Sequence, residues 1–593
     1  MHKTLTLIAV MAAGSALAQQ AADSVQPEAA TTGGFAAMSP QVAAALQAKD
    51  AGLPVTGKTW MVAAANPHAV QAGADVLAAG GTAADALVAV QTVLGLVEPQ
   101  SSGLGGGAFL VWYDAKSGQL TTLDGRETAP LAATPTRFQD DKGEPVQFYD
   151  AVVGGLSVGV PGTPALLASA HDTWGNRDWA TLLQPAITLA QDGFDVSPRL
   201  AGLVAADAER LARFESTASY FLPDGQPLQA GARLTNLGYA DTLQMLAQDP
   251  SAFYTGEIAQ DIIDTVNGAV PAGGLLTPLD FSLYSTRERP AVCAPFRGHD
   301  ICGMGPPSSG ALTVGQILGM LDSYDLEALG PADPQAWRLI GDASRLAFAD
   351  RGRYMADSDF VPMPTKGLVD PAYLADRAKL LAGDDALPEV SPGTPAWDHA
   401  MLWADDESIE LPSTSHISIA DSYGNVASMT TTIENGFGSR LMVRGFLLNN
   451  ELTDFSFRTH ADGVPIANRL EPGKRPRSSM APTIVMRDGA PVLAIGSPGG
   501  SRIIGYVAQA IVAHLAWGMD VQQAVAMPHA VNRFGNYDLE AGTAAADLQG
   551  PLEAMGFEVE TRDLNSGLHA IEIGDGLQGG ADPRREGIAL GDD

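Results

Sequence analysis

The stretch "ELPSTSHISIADSYGNVASMTTTIE", residues 410–434, most constrains what this chain can fold into. Two runs rich in β-branched residues, 417–420 and 426–433, flank the turn Asp-Ser-Tyr-Gly-Asn. That pattern reads as a β-hairpin in the middle of a 593-residue chain. Its entrance is unusual: Pro412-Ser413-Thr414-Ser415-His416, a run of small hydroxyl residues. Thr414 lies nine residues before Tyr423 and Thr432 nine after it. A regular antiparallel pair centred there sets the two threonines opposite each other, with Cβ atoms ~5 Å apart.

A hydroxyl is a poor nucleophile without a base. His416 shares the strand face of Thr414, but no Asp partner is evident, and the G-x-S-x-G elbow is absent. Cutting the Ser413–Thr414 bond would supply the base, because Thr414 would then carry an α-amino group of pKa ~8 beside its own hydroxyl. Taken by itself, the stretch also fits ordinary turn hydroxyls.

Upstream, residues 66–97 read as a helical hairpin. Asn66 caps the first helix, Pro67 opens it, Gly80-Gly81 closes it and Thr82 caps the second. A Gly-rich loop then leads to strands at 109–113 and 120–123, and helical periodicity dominates 163–356. The segment "ATLLQPAITLAQDGFDVS" holds one helix closed by Gly193. Residues 383–413, rich in Pro, Asp and Glu, read as a long exposed segment. Strands follow at 483–486 and 492–495, then a helix at 503–517 and a closing hairpin in "HAIEIGDGLQGGADPR".

The N-terminus has a basic start at Lys3, an apolar run and Ala16-Leu17-Ala18, the marks of a secretory signal over residues 1–18. Residues 19–47 read as a mobile lead-in. Such a chain is periplasmic or secreted. Cys293 and Cys302 flank an Arg-Gly-His-Asp turn, either as a cross-strand disulfide or as two half-buried thiols. No metal-ligand spacing occurs. With 35 Lys and Arg against 68 Asp and Glu, nucleic acid is excluded as a partner. Beyond the N-terminal segment no apolar run is long enough to span a membrane.

The stretches "SGLGGG", "DGRETAP", "PPSSGALTVGQIL", "GFLLNNELTDFSF", "GKRPRSSMAPTIV" and "LAIGSPGGSRI", with the hairpin above, resemble the γ-glutamyltransferase family of N-terminal nucleophile hydrolases. The resemblance covers nearly all of the chain after residue 18. It implies an α/β fold, a four-layer αββα sandwich with a mostly helical large-subunit portion. It implies self-cleavage into a large subunit, 48–413, and a small catalytic subunit, 414–593, which stay together as a heterodimer. It also implies attack of a threonine on a γ-glutamyl compound such as glutathione, with no cofactor, and transfer to water, an amino acid or a peptide.

By resemblance, Thr414 is the nucleophile, Thr432 its hydrogen-bond partner, and Gly499 and Gly500 the oxyanion hole. A Gly-rich strand-to-helix turn suits that role, since its N–H groups point at developing charge. Arg126 matches the clamp on the substrate α-carboxylate, helped by Ser478 and Ser479. Glu451 and Asp454 match positions that hold the α-ammonium.

Two departures stand out. Glu434 occupies a position where many family members have Asn. With Glu451 and Asp454 it crowds the site with carboxyls, which favours an ammonium and raises one acid's pKa. The loop 455–473 is shorter than in the better-known bacterial members and lacks Tyr, leaving a more open acceptor side. A β-lactam side-chain (cephalosporin-type) acylase of the same family is the alternative reading. A non-catalytic periplasmic binding protein of the same fold is another.

Overall fold

The computed structural model describes residues 34–35, 37–270, 275–399, 401–406 and 408–592. The expected signal, 1–18, lies outside them. Among the described residues the first helix is α1 (Pro40–Asp50), and it corrects the reading of 19–47 as a mobile lead-in over its last part. Ser39 caps it, Val42 and Ala45 are buried, and Lys49 Nζ donates to the carbonyls of Arg585 (2.9 Å) and Gly587 (2.7 Å). Partners more than 500 residues away leave no local trace in an Ala/Gln-rich sequence.

The helical hairpin folds as expected, with α2 (Pro67–Ala78) capped by Asn66 and α3 (Ala83–Val97) capped by Thr82, whose capping box with Asp85 satisfies two backbone N–H groups. Then come α4 (Trp179–Asp192), α5 (Gly310–Leu321), α6 (Pro334–Tyr354) and α7 (Ile503–Leu515).

The strands of the two main sheets begin with β1 (Val55–Gly57), β2 (Met61–Ala64), β3 (Gly107–Asp114) and β4 (Gln119–Gly125). Next are β5 (Arg287–Pro290), β6 (Val292–Phe296), β7 (His299–Gly303), β8 (Ser415–Ala420) and β9 (Val426–Thr432). Last are β10 (Thr483–Arg487), β11 (Ala490–Gly496), β12 (His569–Ile573), β13 (Leu577–Ala581) and β14 (Ile588–Gly591). One seven-stranded sheet runs β1-β13-β12-β11-β10-β7-β6, the other β14-β2-β8-β9-β3-β4-β5.

Strand periodicity produces the layers. Along β2, Met61 and Ala63 join an apolar cluster with Ile484, Met486 and Ala494 of the other sheet. Val62 and Ala64 point the other way, into a cluster with α2, α3 and α4. In β10 and β11, Val485, Leu493 and Ile495 pack under α5, α6 and α7. Successive side chains thus face a helix layer and the opposite sheet in turn, giving the order α, β, β, α.

In the β6–β7 hairpin Cys293 pairs with Cys302, and their sulfurs are bonded at 2.03 Å. Residues 383–399, 401–406 and 408–413 carry no helix or regular strand, as expected. The expected exposure does not hold at the end of this segment, where Glu410, Leu411 and Ser413 are buried. An acidic side chain enters the interior because buried cations receive it, a long-range fact that composition cannot show.

Candidate active site

Strands β8 and β9 pair antiparallel with Ser415 opposite Thr431, so the next step of the register sets Thr414 against Thr432. Their hydroxyls are hydrogen-bonded, Thr414 Oγ1 donating to Thr432 Oγ1 at 3.2 Å. Thr432 Oγ1 also accepts the Glu434 N–H at 2.8 Å, which fixes its orientation. His416 faces the opposite sheet. Its ring lies between Thr430 Oγ1 (2.9 Å) and Ser418 Oγ (3.0 Å), filling the space where a Cβ on Gly496 would sit. Burial, reinforced by His569, holds its pKa well below the usual imidazole range, so it stays neutral and structural.

Thr414 has φ 107°. For a β-branched residue this is an outlier region, costing about 1–3 kcal/mol. Three contacts hold it there. Gly499 N–H donates to the Ser413 carbonyl at 3.3 Å, Arg585 Nη1 donates to the Thr414 carbonyl at 3.2 Å, and Ser413 Oγ donates to the Gln100 carbonyl at 3.0 Å. The Gly-rich turn follows β11. Gly499 has φ 135° and Gly500 φ 57°, conformations that favour glycine. A Cβ on Gly500 would lie 2.7 Å from the Leu411 carbonyl oxygen, so the absence of a side chain lets the segment before Thr414 pass over the turn.

A small pocket opens beside Thr414. Thr414, Thr432, Gly500, Arg126, Glu434, Glu451, Asp454, Ser478 and Ser479 all border it, joined by Glu410, Leu411, Met480 and Ile503. Of the residues nominated for catalysis or substrate binding only Gly499 is not part of the wall, and its N–H donates to the Ser413 carbonyl. Cys293 and Cys302 lie away from it. No residue of 455–473 contributes to the wall. Among the described residues no cluster of His, Cys, Asp and Glu is arranged to hold a metal.

Arg126 is buried, with its guanidinium engaged on every side. Nη1 pairs with Glu451, Nη2 with Asp454 at 2.5 Å and with the Arg477 carbonyl at 3.0 Å, and Nε donates to the Pro476 carbonyl at 3.2 Å. Burial opposes its charge, but Glu451 and Asp454 outweigh that and push its pKa up. Glu127, next in sequence, is also buried, and burial with the Glu451 charge drives it well above the usual carboxyl range.

Glu434 sits in this acidic wall with φ 74°. Its Oε2 accepts from Asn450 Nδ2 at 2.6 Å and its Oε1 from the Leu411 N–H at 3.3 Å. Burial first, and the Glu451 charge second, push its pKa up to about 8. The direction is the one expected from the crowding of acids.

Ser479 Oγ donates to Glu410, which also pairs with Arg351. Ser478 Oγ instead accepts the Met480 N–H at 3.1 Å. Glu410, Arg351, Asn450 and Arg585 were missed in the sequence. Asn450 adjoins the nominated Glu451, and Glu410 lies four residues before Thr414, so proximity was a usable signal for both. Arg351 on α6 and Arg585 after β13 had none.

The gamma-glutamyltranspeptidase family model matches residues 69–592. The chain is 38% identical to the glutathione hydrolase proenzyme of Bacillus subtilis (strain 168) over 550 residues, covering 90% of this chain and 92% of that one. It is 36% identical to the glutathione hydrolase proenzyme of Escherichia coli (strain K12), covering 90% and 91%. Among solved structures, a cephalosporin acylase from Bacillus halodurans superposes with TM-score 0.80 at 26% identity, covering 91% of this chain and 97% of that one. The matched length, the layered sheets and the threonine pair at the pocket agree, and the chain belongs to the gamma-glutamyltranspeptidase family.

Proposed function

We propose that this protein is a self-processing γ-glutamyltransferase and glutathione hydrolase whose nucleophile is Thr414. The observation that carries the reading is the Ser413–Thr414 peptide itself. Its carbonyl oxygen accepts a hydrogen bond from Gly499, and the attacking residue holds a strained backbone.

Processing begins when Thr414 Oγ1 attacks the Ser413 carbonyl carbon. The oxyanion forms on the oxygen that Gly499 already contacts. The C–N bond breaks, its nitrogen takes the hydroxyl proton and becomes the Thr414 α-amino group, and an ester joins Ser413 to Thr414 Oγ1. Water then cleaves the ester and releases the Ser413 carboxylate. In the cut enzyme the α-amino group accepts the Thr414 hydroxyl proton while Oγ1 attacks the γ-carbonyl of the donor. Gly499 and Gly500 stabilise the new oxyanion, the leaving amine takes the proton, and a γ-glutamyl ester remains. Water, an amino acid or a peptide resolves it. Glu451 and Asp454, which pair with Arg126 in the uncut chain, are the acids placed to receive the donor's ammonium. The wall is free of residues 455–473, which supports an open acceptor side. The two subunits, 48–413 and 414–593, remain associated through the shared sheets, since β2 and β3 flank the β8–β9 hairpin. The segment 1–18 directs export.

Denaturing electrophoresis with N-terminal sequencing tests the reading. A fragment beginning Thr414-Ser415-His416, and turnover of a γ-glutamyl anilide, are expected. An uncut, inactive wild-type chain overturns it. The acylase reading draws support from the solved cephalosporin acylase fold. It requires faster turnover of glutaryl than of γ-glutamyl amides, and the acidic wall around Arg126 argues against that.

A further inference from the structure

The bond proposed to be cut carries most of the grip on the nucleophile. Of the three contacts that hold the Thr414 backbone, two run through Ser413: the Gly499 N–H on its carbonyl, and its own Oγ on the Gln100 carbonyl. Cleavage would assign Ser413 to the other subunit. The third contact stays with the new chain end, because Arg585 Nη1 donates to the Thr414 carbonyl at 3.2 Å. The Arg585 side chain is fully buried, and its path is prepared. Its Nε donates to Asn565 Oδ1 at 3.0 Å, and a Cβ on Gly567 would lie 2.7 Å from its Cδ, so a glycine there lets it pass.

The base of this arm is held by the first helix. Lys49, buried on α1, donates from Nζ to the carbonyl of Arg585 at 2.9 Å and to that of Gly587 at 2.7 Å. Two gripped carbonyls fix the backbone from which the guanidinium starts. Between them, Glu586 Oε1 accepts the Arg199 N–H at 3.1 Å. A Cβ on Gly587 would lie 2.1 Å from His569 Nε2 and 2.6 Å from the Ala64 carbonyl oxygen, so the stretch is wedged against β2 as well. Docking of α1 needs no ammonium, since Val42 and Ala45 already join the apolar cluster of Ile588 and Leu590. A buried ammonium costs desolvation that an apolar side chain avoids, and what it gains here is a fixed backbone at 585 and 587. Lys49 lies ahead of residue 69, where the family match begins, so the family pattern does not supply this end of the arm.

We propose that Lys49 and Arg585 are positioning residues of the reaction, an arm that holds the nucleophile in line once cleavage has made it a chain end. This rests on the cleavage reading above. Lys49 belongs to 48–413 and Arg585 to 414–593, so the arm crosses from one subunit to the other. Arg585 acts through Thr414: a fixed carbonyl fixes Cα, and with it both Oγ1 and the α-amino group. Thr432 holds the hydroxyl alone. Oγ1 and the α-amino group serve in forming and in resolving the ester, so loss of the arm slows both steps and leaves donor binding intact.

The test measures kcat and KM on a γ-glutamyl anilide, per cut chain, for wild type, Arg585→Met, Arg585→Lys, Lys49→Met and the double variant Lys49→Met/Arg585→Met. Arg585→Met should lower kcat by about 10–100-fold, the scale of one charge-assisted hydrogen bond, with KM within about twofold of wild type. Arg585→Lys should recover part of the loss. Lys49→Met should lower kcat by about fivefold, again at unchanged KM. The double variant should be no slower than Arg585→Met, because Lys49 acts only through Arg585. A merely structural Lys49 would multiply the two losses instead. If either Met variant fails to fold or cut, Asn565→Ala, which releases Arg585 Nε, decides: kcat should fall by about fivefold at unchanged KM. Unchanged kcat in Arg585→Met or in Asn565→Ala, a loss confined to KM, or multiplied losses in the double variant overturns the arm and leaves the function standing. A wild-type chain that neither cuts nor turns over the anilide overturns the function instead.

Discussion

The backbone N–H of Gly499 donates to the carbonyl oxygen of Ser413 at 3.3 Å, so the donor assigned to the oxyanion hole rests on the bond proposed to be cut. On the proposed function, one donor serves both the processing step and later turnover. Substituting Gly499 should therefore impair both. Ala at 499 would face φ 135° and place its Cβ 2.8 Å from the Tyr506 ring. Gly499→Ala keeps the N–H but strains the turn and moves that donor off the Ser413 carbonyl, so fragment formation should slow by up to about 10²-fold, as read by gel time courses.

Thr432 acts on Thr414 through one hydroxyl–hydroxyl contact. Thr432→Ala should leave the fold intact and slow both cleavage and anilide turnover by about tenfold, the worth of one hydrogen bond. Thr432→Ser, which keeps the oxygen, should recover most of the rate. An unchanged rate in Thr432→Ala would remove Thr432 from the catalytic set.

Glu434 sets a pH dependence of stability. Its folded pKa of about 8 lies above the ordinary carboxyl value of 4.5. Between those values the folded chain keeps the proton that the unfolded chain has released, so stability falls as pH rises through that window and levels off above it. In the uncut Thr414→Ala chain, Glu434→Gln should flatten this fall in Tm between pH 5 and 8. Parallel profiles would contradict a raised Glu434.

The Cys293–Cys302 bond closes a short loop at the edge of one sheet and is not part of the pocket wall. Replacing both with Ser should cost about 2–3 kcal/mol of stability, by loop entropy, and leave anilide kinetics unchanged. Calorimetry and initial rates on the same sample check both parts.

The Thr414–Thr432 pairing was legible because a strand has a period of two and the Asp-Ser-Tyr-Gly-Asn turn fixes the centre of the count. The caps at Asn66 and Thr82 were legible for a similar reason: the signal and the structure lie within a few residues of each other. Arg351 and Glu410 are 59 residues apart, and Lys49 and Arg585 are 536 apart. No local pattern encodes such pairs. The same distance explains why the helix at Pro40–Asp50 and the burial of Glu410 escaped the sequence reading: each depends on partners that only the folded chain brings near.

N-terminal sequencing of the purified wild-type protein beside Thr414→Ala tests the central claim most directly. The account predicts a wild-type fragment of 180 residues, 414–593, beginning Thr-Ser-His, and a Thr414→Ala chain that stays whole and inactive. Cleavage of Thr414→Ala at the same bond, or full anilide turnover by an uncut chain, would contradict it.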